Sequence, residues 1–151
     1  MQPLTLPKWN IDLFADVYTL AVDLNHKDGI DQILRLMAEL HPAMPEIPIA
    51  QALQMMKSRD FLGARLLLEK VETAHPRNAQ IKALLAWTLY MQQERSWKSY
   101  AEDAMALPLD HTASVLVKTI SRITNTPIRG LHAAAGDPSP AFDVPITGLA
   151  C

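Results

Sequence analysis

The stretch that decides the fold runs from His41 to Pro76, HPAMPEIPIAQALQMMKSRDFLGARLLLEKVETAHP. It opens and closes on His-Pro, and the interval of 34 residues between the two pairs is the period of tetratricopeptide repeats. Pro45 and Pro48 suit a first helical turn, because the N–H that proline lacks would find no acceptor within the helix there. Ile49, Ala52, Leu53 and Met56 then recur at helical spacing. Ser58-Arg59-Asp60 breaks the pattern, and Asp60 can cap a second helix whose buried side is Phe61, Ala64, Leu67, Leu68 and Val71. Pro76 closes it, since the residue before a proline is pushed out of helical geometry. Ala64 followed by Leu68 supplies the small and large residues with which such a repeat packs its second helix on its first.

The same grammar extends in both directions. Upstream, Asn10 precedes Ile11, Phe14, Val17, Tyr18 and Ala21, which predicts a helix over about 11–25. Asp28 is the expected cap of the next helix, whose stripe is Ile30, Ile33, Leu34, Met37 and Leu40, stopped by Pro42. Downstream, Asn78 caps a helix carrying Ile81, Leu84, Leu85, Thr88 and Leu89. After a longer turn at Gln92-Gln93-Glu94-Arg95, Ser96 starts one with Trp97, Tyr100, Ala101, Ala104 and Met105. Asp110 caps a last helix to about Thr124, with Val115, Leu116, Ile120 and Ile123 expected inward, covering the open end of the stack.

The fold expected is therefore all-α: a tetratricopeptide-like stack of about three helical hairpins over residues 10–124, with a C-terminal capping helix. Residues 125–151 are expected to form a flexible tail. From Thr126 onward this segment holds four prolines and three glycines, a composition that cannot offset the entropy of ordering. Its candidate anchors are Phe142, Val144, Ile146 and Leu149.

Composition narrows the function. The 151 residues are 49% apolar and 20% charged, enough for one core and a soluble surface. Fourteen basic against sixteen acidic residues give a net charge of -2, without the positive excess that drives phosphate-backbone binding, so nucleic acid is not expected as a partner. No apolar run approaches the roughly 18 residues of a membrane span, and Met1–Trp9 reads as no secretory signal. The single cysteine, Cys151, allows neither an internal disulfide nor a cysteine zinc site.

Chemistry is hard to find in this chain. His26, His41, His75, His111 and His132 never stand three or four residues apart, so no metal site is expected. No nucleophile elbow or phosphate loop occurs, and no cofactor or catalytic residue is assigned. His41 and His75 stand just before helix-ending prolines, where an imidazole suits the negative end of the helix dipole. The candidates for function are instead large apolar residues of the first helices, which line one face of such a stack. Leu53 and Met56 lie there; a shift of 34 brings Trp87 and Tyr90 beside them, and Val22 corresponds to Met56 in the first unit. These five residues form a candidate groove for an amphipathic helix or an extended segment of another protein. The alternative for Trp87 and Tyr90 is closure of the core against a neighbouring unit or the tail.

Met55-Met56-Lys57-Ser58-Arg59-Asp60-Phe61-Leu62-Gly63-Ala64-Arg65-Leu66-Leu67-Leu68, Lys82-Ala83-Leu84-Leu85-Ala86 and Ser96-Trp97-Lys98-Ser99-Tyr100-Ala101 resemble the small type III secretion proteins of the Hrp type (HrpK-like). The likeness covers about residues 10–124. It implies a non-enzymatic accessory of the secretion apparatus of Gram-negative bacteria, with proteins of that apparatus as partners. Two mechanisms are compatible with it: a cytoplasmic, chaperone-like holder of an export substrate, or a periplasmic assembly factor associated with peptidoglycan and exported without a recognisable signal peptide. Self-association through an exposed end of the stack is a further expectation.

Overall fold

A computed structural model describes residues 9–108 and 110–131, with side chains from Asp12 onward. Seven helices and no strand occur among them: α1 (Trp9–Asp23), α2 (Lys27–Leu40), α3 (Glu46–Lys57), α4 (Phe61–Ala74), α5 (Ala79–Met91), α6 (Trp97–Ala106) and α7 (His111–Thr124). Successive helices pair as hairpins, α1 with α2, α3 with α4 and α5 with α6, and α7 packs on α5 and α6.

The 34-residue period is written into the backbone. Asn25, Arg59 and Gln93, each 34 residues from the next, have φ of 52°, 62° and 61°. Their N–H groups donate to the carbonyls of Val22, Met56 and Tyr90 at 3.0, 3.0 and 2.9 Å, and the N–H groups of His26, Asp60 and Glu94 donate to Ala21, Met55 and Leu89 at 2.9, 2.9 and 3.0 Å. These paired bonds around a left-handed residue are the Schellman motif, which satisfies carbonyls orphaned at a helix end. The second helices α2 and α4 also end alike, on the C-caps His41 and His75 with φ of -134° and -131°, whereas α6 ends on Leu107 at φ -84°. Repeated turns of one geometry fold each helix pair into the same kind of hairpin, consistent with a tetratricopeptide-like arrangement. α7 ends on the first-helix turn as well, with Asn125 at φ 50° and Thr126 N–H donating to the Ser121 carbonyl at 3.1 Å. It is the last described helix, and its C-terminal turn repeats that of the first helices.

α5 is the axis of the packing. Ile81, Leu84 and Leu85 join Ile49 and Ala52 of α3 and Ala64, Leu68 and Val71 of α4 in one core. On its other side Ala83 and Ala86 meet Ala101 and Ala104 of α6 and Val117 and Ile120 of α7 in a second. Alanine at these crossings lets the helices approach closely, while the leucines opposite each contribute about 1.5–3 kcal/mol by burial. A smaller cluster, Ala21, Ile30 and Leu34, joins α1 to α2.

Several expectations are corrected. Asn10 lies inside α1 rather than before it. The cap of α2 is His26, not Asp28: its Nδ1 accepts the Gly29 N–H at 2.9 Å. Asp60, Asn78 and Asp110 cap α4, α5 and α7 through their side chains, as the spacing predicts. Ser96 precedes α6 without a side-chain cap. Val17 is exposed, and on α7 Val115 and Ile123 point outward at 48% and 57% exposure, while Ala113, Val117 and Ile120 face the core. Helical periodicity admits either phase where Val115-Leu116-Val117 run together; packing against α5 selects the second. The segment read as a tail begins with packed structure: Ile128, 2% exposed, belongs to the α5–α6–α7 core. Phe142, Val144, Ile146 and Leu149 lie outside the described residues, as do His132 and Cys151.

Candidate functional site

The first helices of the three hairpins share a cleft of about 470 Å³, lined by Tyr18 of α1, Leu53, Gln54, Met56 and Lys57 of α3, Trp87 and Met91 of α5, with Arg59 from the α3–α4 turn and Phe61 from the start of α4. Local bonds hold its walls. Gln54 Nε2 donates to the Tyr18 hydroxyl at 3.4 Å, tying α1 to α3 across the cleft. Thr88, fully buried, donates its hydroxyl to the Leu84 carbonyl at 2.8 Å, with the Met56 sulfur 3.6 Å away. A hydroxyl has one proton and the carbonyl is the stronger acceptor, so the thioether is seated by contact rather than fixed by a bond. Met56 is thereby free to adapt its shape to an occupant.

Of the five residues singled out by register, Leu53, Met56 and Trp87 come together in this cleft. Val22 does not line it; it packs on the Ala21–Ile30–Leu34 cluster, next to Tyr18. Tyr90 stands apart too, its ring edge-on between Trp87 and Trp97 with centroids 6.4 and 6.0 Å away. Tyr90 and Trp97 hold in the third hairpin the places that Met56 and Phe61 hold in the second, so they belong to the next step of the stack, where they pack on the α5–α6–α7 core. Tyr18, Phe61 and Met91 were missed. The signal for Tyr18 was its equivalence, after a shift of 34, with Ala52, beside Leu53; a buried alanine gave no reason to look there.

The lining is apolar and aromatic with a cationic edge. Lys57 and Arg59 are its charged members, no carboxylate lines it, and neither cation belongs to an ion pair among the described residues. Leu53 is 38% and Met91 43% exposed, large apolar surfaces left to solvent at the rim.

A separate polar cluster joins α4, α5 and α6. Lys82 Nζ lies 2.5 Å from Glu72 Oε1 and 5.9 Å from the centre of the Tyr100 ring. Burial, and then the charges of Glu72 and Glu69, push the Tyr100 hydroxyl above its usual value. Arg65 is held above its own ordinary value chiefly by its hydrogen bond to Glu69, at 2.8 Å. These are bonds between neighbouring hairpins and turns, with no nucleophile set against a base. Among the described residues no three of His, Cys, Asp and Glu converge as metal ligands, and no helix is long and apolar enough to cross a membrane.

Stacked hairpins with an apolar cleft on their first helices define a helical-repeat protein. Residues 1–126 match the family described as bacterial type III secretion protein (HrpB1_HrpK), and the chain belongs to that family. Comparison with curated proteins and with solved structures gave no match.

Proposed function

We propose that the protein is a non-enzymatic accessory of a bacterial type III secretion system that holds a segment of a protein partner in the first-helix cleft, as a chaperone or assembly factor acting in the cytoplasm. The observation that supports this reading is the meeting of Leu53, Met56 and Trp87, from two hairpins, with Tyr18 and Met91 in one open cleft. Burying the rims of Leu53 and Met91 against a partner would be favourable by about 25 cal/mol for each Å² of apolar surface removed from water. A tryptophan beside a thioether is the kind of surface that dominates interface energies. Trp87 on the largely buried α5 supplies the anchor; Met56 and Met91 supply adaptability.

Affinity capture with the tagged full chain, from the bacterium while it assembles its secretion apparatus, tests the reading. Wild type is compared with Trp87→Ala, Leu53→Asp and an α4 control, Leu66→Ala, after circular dichroism has checked that each is folded. The expected result is a loss of about tenfold or more in the captured apparatus protein with the two cleft variants and none with the control. Folded cleft variants that retain every partner would contradict it.

A further inference from the structure

The two ends of the stack carry surfaces that match each other. On α1, Leu13, Val17, Leu20 and Leu24 follow one helical stripe and its continuation into the turn, with exposures of 52%, 41%, 57% and 69%. A shift of 68 residues, two repeats, places Leu13, Val17 and Leu20 on Ile81, Leu85 and Thr88 of α5, which are fully buried. Ile81 and Leu85 are there covered by Ala64, Leu68 and Val71 of α4, the second helix of the preceding hairpin. The open stripe of α1 is therefore a helix-receiving face, and no described helix precedes α1 to occupy it.

At the far end, Val115 and Lys118 of α7 align, through the caps Asn78 and Asp110, with Ala83 and Ala86 of α5, which pack against Ala101 and Ala104 of α6. Here too the fold presents a face that a second helix covers in the interior. Val115 and Ile123 are exposed on it, with Lys118 and Arg122 alongside.

Charge selects the occupant. Asp12, Asp16 and Asp23, all exposed, each sit one residue before a member of the α1 stripe, so they form a ridge along one flank, and α1 contains no Lys or Arg. α7 contains Lys118 and Arg122 and no Asp or Glu. Pairing α1 with α1 in the antiparallel sense of a two-fold dimer sets acid against acid, and α7 on α7 sets base against base. Of the three pairings between these two helices, only α1 on α7 joins opposite charges. We propose that copies of this chain stack end to end, α1 of one copy on α7 of the next, so that each helix covers a face of the other that no described helix covers. Such a contact is heterologous and does not close at two copies. It is independent of the cleft.

Sedimentation velocity and light scattering of the full chain test it, at concentrations up to about 1 mM, where contacts of only about 4 kcal/mol are populated. The expected average mass rises with concentration past that of a dimer. Leu20→Glu, at an exposed position, abolishes the rise with an unchanged circular dichroism spectrum. Asp16→Lys alone and Lys118→Asp alone each weaken association about tenfold, and an equimolar mixture of the two variants regains it, because the reversed ends then match. A wild type that stays monomeric throughout, a mass that saturates at the dimer, or a mixture no more associated than its components would each overturn the proposal.

Discussion

His26 and Asp60, one repeat apart, do the same task with different chemistry: His26 Nδ1 accepts the Gly29 N–H and Asp60 Oδ1 the Gly63 N–H, both at 2.9 Å. Each bond satisfies an amide at the N-terminus of a second helix, and in each case the glycine leaves room that a Cβ would take from the capping side chain. Aspartate is the better cap, because its charge also meets the positive end of the helix dipole. His26→Asp is predicted to stabilise the fold by about 0.5–1 kcal/mol, and Asp60→Ala to destabilise it by about 1 kcal/mol. Thermal unfolding reads both; a drop in midpoint for His26→Asp would show that the imidazole contributes more than the cap.

Arg59 holds the left-handed position of its turn at φ 62°, where Asn25 stands one repeat earlier. A side chain with a Cβ is disfavoured there relative to glycine, by roughly 1 kcal/mol. Arg59→Gly is predicted to raise the unfolding midpoint by a few degrees while removing one of the two cations at the cleft. Stability gained and partner capture weakened is the expected pair of outcomes. An unfolding midpoint that falls would mean that the arginine side chain stabilises the turn.

The Glu72–Lys82 pair bridges α4 and α5 with side chains only 21% and 14% exposed. Removing one partner leaves a partly desolvated charge, so Glu72→Gln or Lys82→Met should each cost about 1–3 kcal/mol. The double variant should cost less than the two losses added, because neither charge is then left alone. Chemical denaturation of all four proteins checks this, and strict additivity would contradict the coupling.

Burial and the neighbouring carboxylates raise the Tyr100 hydroxyl above 10.0. The folded state therefore keeps this proton after the unfolded chain has released it. The stability linked to it is fully present below pH 10.0, and is lost as pH climbs from there through the folded-state value. Ultraviolet titration should show a late tyrosine step that Tyr100→Phe removes, and that variant should lose part of the alkaline decline in stability. A late step persisting in Tyr100→Phe would assign it to another ring.

The hairpin period, the helix order and three of the side-chain caps were legible in the sequence, because Pro, Asp and Asn act locally and repeat. His26 was passed over for Asp28 because histidine is a weak cap by habit, although its place 34 residues before Asp60 gave it away. On α7 Ile120 and Leu116 pack as expected, but Val115 and Ile123 face outward, because three apolar residues in a row leave the phase to tertiary contacts. Ile128 was lost among prolines and glycines, since its burial depends on the far surface of α5 and α6. In the cleft, register placed Leu53, Met56 and Trp87 together but carried Tyr90 along with them. The 34-residue shift moves a residue to the next step of the stack, and only the position of Trp97 shows which side of α5 the phenol ring takes.

Site-specific photocrosslinking in bacteria assembling the apparatus reads out whether a partner sits in the first-helix cleft. A photoreactive residue is placed at Leu53 in the cleft or at Leu66, 59% exposed on α4. A discrete crosslinked product is expected from position 53, absent from position 66 and lost when Trp87→Ala is added. Equal products from both positions, or none from position 53 in a folded and functional protein, would contradict it.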